Sequence, residues 1–345
     1  MKKSKLLIAL SVSVLAFTLC CCNPNADNNN DDSYKAGDIA LKKIKIGDVE
    51  YNNTAEVYVT GKDGAQITGA DPTFVDDTAQ DDEKGAFRTD RIVKLSPYIM
   101  SKYEVTQELY EAVMNGNDQN LNKTPSSFSD SPAEGEIQGY RPVECVTWYD
   151  AVYFCNELTK KTLGESEQVY TITDINVNSE YKCISSATVT MDITKKGYRL
   201  PTEAEWEFAA RGGNPKKPAW NYPFSGHDRV TGGTYNNFEN PGMDAAGWYC
   251  YNSDDKTHQV GKKTANALGI FDMSGNVWEW CYDLFGSIET GEVTNPTGPD
   301  SDKGPVGRGG SYYCGDSGCY VSYRTWFYAN TSYFGIGFRV VRSAE

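Results

Sequence analysis

The stretch RLPTEAEWEFAARGG, residues 199–213, decides most about the fold of this chain. Thr202 is a suitable helix N-cap and Glu205 follows three residues later, a capping-box pattern in which each side chain accepts a hydrogen bond from a free backbone N–H group. Gly212 and Gly213 end the pattern, because glycine readily takes the left-handed conformation that follows many helices. The stretch therefore predicts a helix that begins after Thr202 and ends before Gly212.

Two further helices are predicted on the N-terminal side of this one. VTQELYEAVM, residues 105–114, has Thr106 as its N-cap and apolar residues that share one helix face. TWYDAVYFCNELTKK, residues 147–161, places apolar residues three and four apart, which is also typical of a helix.

Short runs with the composition of β-strands flank the helices. AEVYVTG (residues 55–61) and RIVKLSPYIMS (residues 91–101) precede them, and GIGFRVVRS (residues 335–343) closes the chain. Between the third helix and this last run, Gly, Asn, Tyr and Trp are frequent and periodicity is weak, which predicts loops packed on short strands. No linker is visible after residue 38, so one domain is expected.

Composition excludes several classes of function. The formal net charge of −14 argues against nucleic acid as a partner. Two histidines, His227 and His258, are too few for a multi-histidine zinc site, and no G-x-S-x-G nucleophile elbow is present. After residue 22 the cysteines are widely spread and only Cys314 and Cys319 are close, so the chain is not a small disulfide-stapled scaffold.

The N-terminus has the pattern of an export signal. Three lysines among the first five residues precede a 14-residue run, residues 6–19, that is apolar apart from two serines and one threonine. A helix of this length is too short to span a bilayer, since each residue adds about 1.5 Å, but it has the size of a signal-peptide h-region. Residues 23–33 are almost entirely Asn, Asp, Pro and Ala and predict a flexible tether.

Three consecutive cysteines, Cys20, Cys21 and Cys22, follow the apolar run. The arrangement resembles a bacterial lipoprotein signal, in which one of these cysteines would carry the lipid. Leu19 departs from the small residue expected before Cys20, and Cys22 fits slightly better; an ordinary secretory signal is the alternative. We expect a signal peptide over residues 1–22, a tether over 23–37 and a domain over 38–345, exported and lipid-anchored at the outer surface of a bacterial cell.

Seven segments carry a resemblance to a known family. They are YIMSKYEVTQELYEAVM, PVECVTWYDAVYFCNEL, YRLPTEAEWEFAARGG, NALGIFDMSGNVWEWCYD, NPTGP, RGGSYY and GFRVVRS. Their order and spacing, over about residues 55–343, resemble the sulfatase-modifying-factor family, also called the formylglycine-generating-enzyme type. The resemblance implies an α/β, C-type-lectin-like fold with much irregular chain around a small twisted sheet. It does not decide the activity, because one fold hosts several functions.

One function implied by the resemblance is a copper-dependent oxidase that converts a sulfatase cysteine to formylglycine. GGSYYCGDSGC places Cys314 and Cys319 at the spacing of the two cysteines of these enzymes, with Ser311 at the position of an active-site serine. Two thiolates suit copper(I), a soft ion. Gly315 and Gly318 depart from the basic or imidazole residue and the aromatic residue of the enzymes. The alternative is that Cys319 is a packing cysteine and that Cys314 arose independently.

A second hypothesis is a binding surface in residues 311–335. Nine of these 25 residues are aromatic, about three times the 12% of the whole chain, and Lys, Glu, Gln and Met are absent. Tyrosine offers a large contact area at low conformational cost, while Ser, Gly and Asn adapt to a partner. A hydrophobic core would instead favour Leu, Ile and Val, of which Val321 is the one example. The alternative is that the rings, Trp326 among them, pack inward.

The same bias fits mutation of adenines in asparagine-type codons by a diversity-generating retroelement, which yields Tyr, Ser, Asp, Gly, Cys, Thr, Phe or Ala. The variable proteins of such systems have this fold and a variable region that ends at GFR, so the chain resembles the Treponema variable protein A type. The variable segment is predicted at about residues 311–336, and its ligand as an unknown protein or cell-surface molecule. The side chains expected to face outward and bind are Tyr313, Cys314, Gly315, Asp316, Ser317, Gly318, Tyr320, Tyr323, Thr325, Phe327, Tyr328, Thr331, Tyr333 and Phe334.

A calcium site is also implied by the resemblance. IFDMSGNVWEW matches the second calcium loop of the family, where Asp272 and Glu279 would offer carboxylates and Gly275 and Val277 their carbonyl groups. Ligation by oxygen alone suits calcium. The alternative is that these groups bond the backbone without an ion.

Overall fold

The helices of the structure agree with the sequence prediction. The structure, a computed structural model, describes residue 36 and residues 43–69, 85–230 and 240–344. The predicted signal peptide and, apart from residue 36, the predicted tether lie outside these residues. The described helices are α1 (Gln107–Met114), α2 (Trp148–Thr162), α3 (Glu203–Ala210) and α4 (Pro241–Ala246). The first three confirm the prediction, and α4 was not predicted. None of the four has the length and apolar character needed to cross a membrane.

The predicted caps are present. Thr106 Oγ1 accepts a hydrogen bond from Leu109 N at the start of α1. At the start of α3, Thr202 Oγ1 accepts from Glu205 N at 3.3 Å and Glu205 Oε2 accepts from Thr202 N at 2.9 Å. Gly212 follows α3 with a φ of +80°, the left-handed conformation that ends a helix without a Cβ clash.

The strands are short and the chain between them is largely irregular. In chain order they are β1 (Lys45–Ile46), β2 (Val49–Glu50), β3 (Glu56–Tyr58), β4 (Ala65–Thr68), β5 (Arg91–Leu95), β6 (Tyr98–Ser101), β7 (Tyr170–Asn178), β8 (Cys183–Met191), β9 (Trp278–Leu284), β10 (Gly291–Thr294), β11 (Pro305–Arg308), β12 (Arg324–Trp326), β13 (Ile336–Gly337) and β14 (Val341–Ser343). The fold is therefore a mixed α/β fold dominated by short strands, as predicted.

These strands form several small sheets. The four-stranded sheet has the order β12–β11–β9–β13; its first three strands are antiparallel, and β13 runs parallel to β9. Two three-stranded sheets have the orders β10–β5–β4 and β14–β6–β3, and β1–β2 and β7–β8 are two-stranded pairs. Because β11 and β13 flank residues 311–336 and β12 lies within them, the four-stranded sheet positions the predicted binding residues.

Three differences from the sequence prediction concern strands. Residues 91–101 form β5 and β6 in different sheets, because Pro97 lacks the N–H group needed to continue a ladder. Residues 335–343 likewise divide into β13 and β14. The β7–β8 hairpin was not predicted, although apolar residues alternate with Thr along parts of both strands, as in Ala187, Val189 and Met191.

Helix α3 is buried on all sides, although three of its eight residues are glutamates. Arg199 binds both carboxylate oxygens of Glu205, at 2.6 and 2.7 Å. Glu207 is paired with Arg211 at 2.8 Å, and Glu203 is bound by arginines of β11 and β12. Buried carboxylates are tolerated only with such partners. The helix is thus a fixed support beneath the C-terminal strands.

Candidate ligand-binding site

The predicted binding segment, residues 311–336, connects β11 to β13 and contains β12 and one 3₁₀ turn. Its remaining residues are turns and irregular chain. Hydrogen bonds from other elements fix its path: Trp148 N, at the start of α2, donates to Ala329 O at 3.0 Å, and Trp278 N of β9 donates to Gly335 O at 2.8 Å. The segment is therefore held by the scaffold although it has little secondary structure of its own.

Arg324 fixes the middle of the segment from the core side. Its buried guanidinium binds the two carboxylate oxygens of Glu203 at 2.5 and 2.8 Å, and it also donates to Gly286 O at 3.1 Å. Arg308 of β11 lies beside it and donates to Tyr323 O. Bidentate arginine–carboxylate pairs are geometrically specific as well as strong. The backbone of β12 is thus held from below while neighbouring side chains remain accessible.

Most of the predicted binding side chains reach the surface. Tyr328 is 67% exposed, Phe334 41% and Tyr313 36%, and Gly315 and Ser317 are exposed as well. The half-buried members are Cys314, Gly318, Tyr323, Thr325, Phe327, Thr331 and Tyr333. These twelve residues together are called the aromatic face below.

Two predicted binding residues do not face outward, and this is a correction. Asp316 lies in the 3₁₀ turn Asp316–Cys319, is 7% exposed and pairs with Arg229 at 3.4 Å. Tyr320 is 6% exposed, because its ring packs edge-on against Phe224 at 5.5 Å. The turn directs both side chains back into the protein.

Two further residues of the segment, Val321 and Trp326, pack inward, as the alternative interpretation of the aromatic segment predicts. Val321 is 1% exposed. Trp326 is half-buried and packs against the core cluster around α3. The segment therefore contributes to both the core and the surface.

The rings of the aromatic face contact one another and the sheet below. Tyr313 and Tyr333 are perpendicular at 5.8 Å, and Tyr333 and Phe334 are 4.1 Å apart. Phe327 packs edge-on against Trp278 and Trp280 of β9, at 6.0 and 5.7 Å. Such contacts limit side-chain freedom before binding, so less conformational entropy is lost when a partner arrives.

A cavity of about 390 Å³ opens beside the aromatic face. Phe334 and Ser332 line one side, and residues 180–183 at the tip of the β7–β8 hairpin line another. Cys145 also borders it, with its Sγ 3.2 Å from Ser127 Oγ. The volume lies in the range of small-ligand pockets. Sequence reasoning missed this cavity because it missed the hairpin.

Cys314 and Cys319 have different surroundings. Cys314 is half-buried, with its Sγ 3.3 Å from Ser311 Oγ, whereas Cys319 is fully buried. Burial raises the pKa of both thiols, most strongly that of Cys319. Gly310 closes over Cys319, because a Cβ there would lie 2.6 Å from its sulfur. The pair does not fit a copper(I) site that is open to a substrate thiol.

Asp272, in the predicted calcium loop, fits a cation ligand. It is 2% exposed, and its Oδ2 accepts a hydrogen bond from Gly261 N at 2.7 Å. Its Oδ1 is buried without a hydrogen-bond partner, an arrangement that needs an explanation in a folded protein. Burial raises the pKa of Asp272 to about 6.

Glu279 does not fit a cation ligand, and here the ion-free alternative applies. Arg339 binds its two oxygens at 2.6 and 2.7 Å, and Trp206 Nε1 donates to it at 2.7 Å. The other predicted ligands, the carbonyl groups of Gly275 and Val277, belong to the same loop. In the described part of the chain no three His, Cys, Asp or Glu side chains are grouped so as to hold a metal ion. Calcium binding here stays a prediction that depends on Asp272.

Millimolar CaCl₂ is expected to raise the melting temperature by about 1–4 °C at neutral pH. A dissociation constant near that of extracellular calcium modules, about 10⁻⁴–10⁻³ M, gives about 0.4–1.4 kcal/mol at this concentration. The gain should fade as the pH falls through about 6, because calcium needs the ionised form of Asp272. Thermal scans of the wild type and Asp272→Asn, with MgCl₂ as control, measure this. An equal rise in the variant would contradict the site.

Comparisons with known proteins agree with the architecture. A family model described as the sulfatase-modifying factor enzyme 1-like domain matches residues 47–344. The solved structure of Treponema denticola variable protein 1 is similar, with a TM-score of 0.63 and 33% identity, over 88% of this chain and 99% of that one.

Similar proteins carry names for different roles. The chaperone protein LppX of Paenibacillus barcinonensis is 38% identical over 283 residues, 76% of this chain and 88% of that protein. The formylglycine-generating enzyme of Streptomyces coelicolor is 36% identical over 159 residues, 43% of this chain and 48% of that protein. Because the names include both enzymes and proteins not named as enzymes, the activity of this chain has to be inferred from its own site.

Proposed function

The chain belongs to the sulfatase-modifying factor enzyme 1-like family, and on this premise we propose that it is a binding protein whose aromatic face holds a protein or another cell-surface molecule. The observation that carries the proposal is the outward position of Tyr313, Tyr328 and Phe334 on a backbone fixed from the core. Exposed aromatic clusters of this kind mark interaction surfaces, since tyrosine and tryptophan are among the residues that contribute most to the binding energy of protein interfaces.

Binding is favoured over thiol oxidation by the state of the cysteines. An oxidase would need Cys314 and Cys319 to hold copper(I) together, and Cys319 is enclosed in an apolar cluster with Phe224 and Met243. Ser311 does contact Cys314, as the enzyme resemblance implies, but this contact alone supplies no second accessible sulfur. We therefore interpret Cys319 as a packing residue of the core and Cys314 as a partly exposed thiol, and we do not read their spacing as a copper site.

The aromatic face is diversified in sequence by a retroelement. Support comes from the composition of residues 311–335, which lacks Lys, Glu, Gln and Met, and from the similarity to a variable protein of Treponema denticola. Trp326, which asparagine-type codons do not produce by adenine change alone, is half-buried and packs against the core cluster around α3. Variation is thus confined to side chains that the fold does not require.

The DNA beside the gene tests this diversification. We expect a near-copy of the 3′ coding end that differs only where the copy has adenine, together with a reverse-transcriptase gene. The codon for Trp326 should be identical in the two copies, whereas codons for Tyr328 and Phe334 should differ. A genome with neither the copy nor the reverse transcriptase would contradict diversification, while the binding role would still stand on its own.

The protein is displayed by a lipid on one of Cys20, Cys21 and Cys22. Support comes from the basic start, the 14-residue apolar run and the polar stretch that follows the cysteines. A lipid with a polar tether would hold the aromatic face away from the membrane, where a partner on another cell or molecule can reach it.

Metabolic labelling tests the anchor. A bacterium that expresses the full chain and is fed an alkyne fatty acid should label the protein and retain it in the membrane fraction. Replacing Cys20, Cys21 and Cys22 together by serine should abolish the label, and Cys22→Ser alone should remove most of it. Cys145→Ser is the matched control and should keep the label. An unlabelled, released wild-type chain would overturn the anchor.

A further inference from the structure

Cys250 and Cys314 face each other across two loops. Cys250 N donates a hydrogen bond to Cys314 O at 3.0 Å. An amide nitrogen lies about 1.5 Å from its own Cα, and a carbonyl oxygen lies about 2.4 Å from its Cα, so the two Cα atoms are at most about 6.9 Å apart. Disulfides join Cα atoms that are about 4.4–6.8 Å apart. The two backbones are therefore close enough for a disulfide.

The two side chains also share their surroundings. Cys250 and Cys314 are both half-buried and pack against the same small cluster, which contains Phe224, Met243 and Tyr249. The thiol of Cys314 rests on Ser311 Oγ at 3.3 Å, a weak contact that rotation about its Cα–Cβ bond releases. Both side chains thus adjoin one small cluster, and the contact of the Cys314 thiol with Ser311 is weak enough to be exchanged for a bond to sulfur.

From this geometry we propose that Cys250 and Cys314 form a disulfide that fastens the start of the aromatic face to the loop before residue 253. Cys314 pairs with Cys250 rather than with Cys319, because Cys319 is fully buried beneath Gly310 and burial raises its pKa well above the usual range, so little thiolate is present there to attack a mixed disulfide. Cys250 is half-exposed and is therefore open to attack on an oxidant.

The oxidant is another disulfide, of the kind that exported proteins meet. The thiolate of Cys250 attacks one sulfur of that disulfide, which forms a mixed disulfide and releases one thiol. The thiolate of Cys314 then attacks the Cys250 sulfur and releases the second thiol. The protein loses two protons and two electrons, and the oxidant takes them up as its disulfide is reduced to two thiols.

The consequence for ligand binding rests on the proposed function. With Cys314 fixed, the first residues of the aromatic face, including Tyr313, lose freedom before a ligand arrives, which lowers the entropy cost of binding. The bond also removes Cys314 from any pair with Cys319. Since the crosslink forms or fails without any ligand, its test is separate from the test of binding.

Mass spectrometry of the oxidised full chain tests the disulfide. The chain is purified in detergent, reduced, treated with glutathione disulfide, alkylated and digested without reduction. We expect a linked peptide pair that contains Cys250 and Cys314, and a loss of two thiols per denatured molecule. An internal Cys314–Cys319 disulfide within one peptide, glutathione alone on Cys314, or no loss of thiols would each overturn the proposal.

Two serine variants check the assignment. Cys319→Ser should retain the linked pair, whereas Cys250→Ser should abolish it and leave Cys314 free to react with an alkylating reagent. If Cys250→Ser still loses two thiols, Cys314 has another partner and the proposal is wrong. The wild-type peptide map decides the question even if one of the variants folds poorly.

Discussion

Replacing Arg324 by alanine should lower the free energy of unfolding by about 3–5 kcal/mol. Arg324 is 1% exposed and binds both carboxylate oxygens of Glu203, which is itself buried. Its removal leaves Glu203 with Arg308 at 3.3 Å as the remaining partner and opens a cavity under β12. Urea denaturation followed by tryptophan fluorescence measures the change.

Arg229→Ala is the matched control for Arg324→Ala. Arg229 also pairs with a carboxylate of the binding segment, Asp316 at 3.4 Å, but its side chain is 36% exposed. Pairs with such exposure contribute about 0–1 kcal/mol, because solvent screens them. If both variants lost the same stability, Arg324 would not be the anchor of the segment, and the separation of a fixed backbone from variable side chains would lose its basis.

The helices were predictable because their signals are local. Thr106 and Thr202 bond backbone groups three residues away, and Gly212 needs only its own conformational freedom. The same holds for the resemblance between the sequence segments and the family, since those segments surround the helices and β9. Such signals depend only on residues that are close in sequence, so they can be recognised without knowledge of the tertiary fold.

The buried charges of α3 were not predictable from local sequence. Glu203 and Glu207 would suit an exposed helix face, yet both are buried, because Arg308 and Arg324 reach them from more than a hundred residues further along the chain. Nothing in the sequence near α3 indicates those partners. The pairing becomes visible only when β11 and β12 are placed over the helix.

Orientation within the binding segment was predicted only in part. Composition indicated that residues 311–336 carry a surface, and Tyr313, Tyr328 and Phe334 are exposed. Composition does not distinguish Tyr320 from them, because its burial depends on the turn before it and on the ring of Phe224. The cavity between the β7–β8 hairpin and Phe334 was missed for a similar reason, since it is formed by segments that are about 150 residues apart in the sequence.

Replacing Tyr328 and Phe334 together by alanine should weaken ligand binding about 100-fold or more. Central aromatic residues of an interface contribute about 2 kcal/mol each when truncated, and each 1.4 kcal/mol is a factor of about ten in the dissociation constant. Both side chains are largely exposed, at 67% and 41%, so stability should change by less than about 1 kcal/mol. The loss would therefore come from the surface and not from unfolding.

A defined panel of purified extracellular-matrix and bacterial surface proteins, immobilised for surface plasmon resonance, provides the ligand for this measurement. The tightest binder of the wild-type chain is then titrated with both variants. Val49→Ala with Ile137→Ala is the matched control, since these apolar side chains are 56% and 54% exposed and lie outside the aromatic face. Equal losses in the control, or wild-type affinity in the Tyr328→Ala, Phe334→Ala variant, would place binding elsewhere. Both double variants remove two exposed apolar side chains, but only one of them removes side chains from the aromatic face. A difference in affinity between the two variants therefore reports on that face.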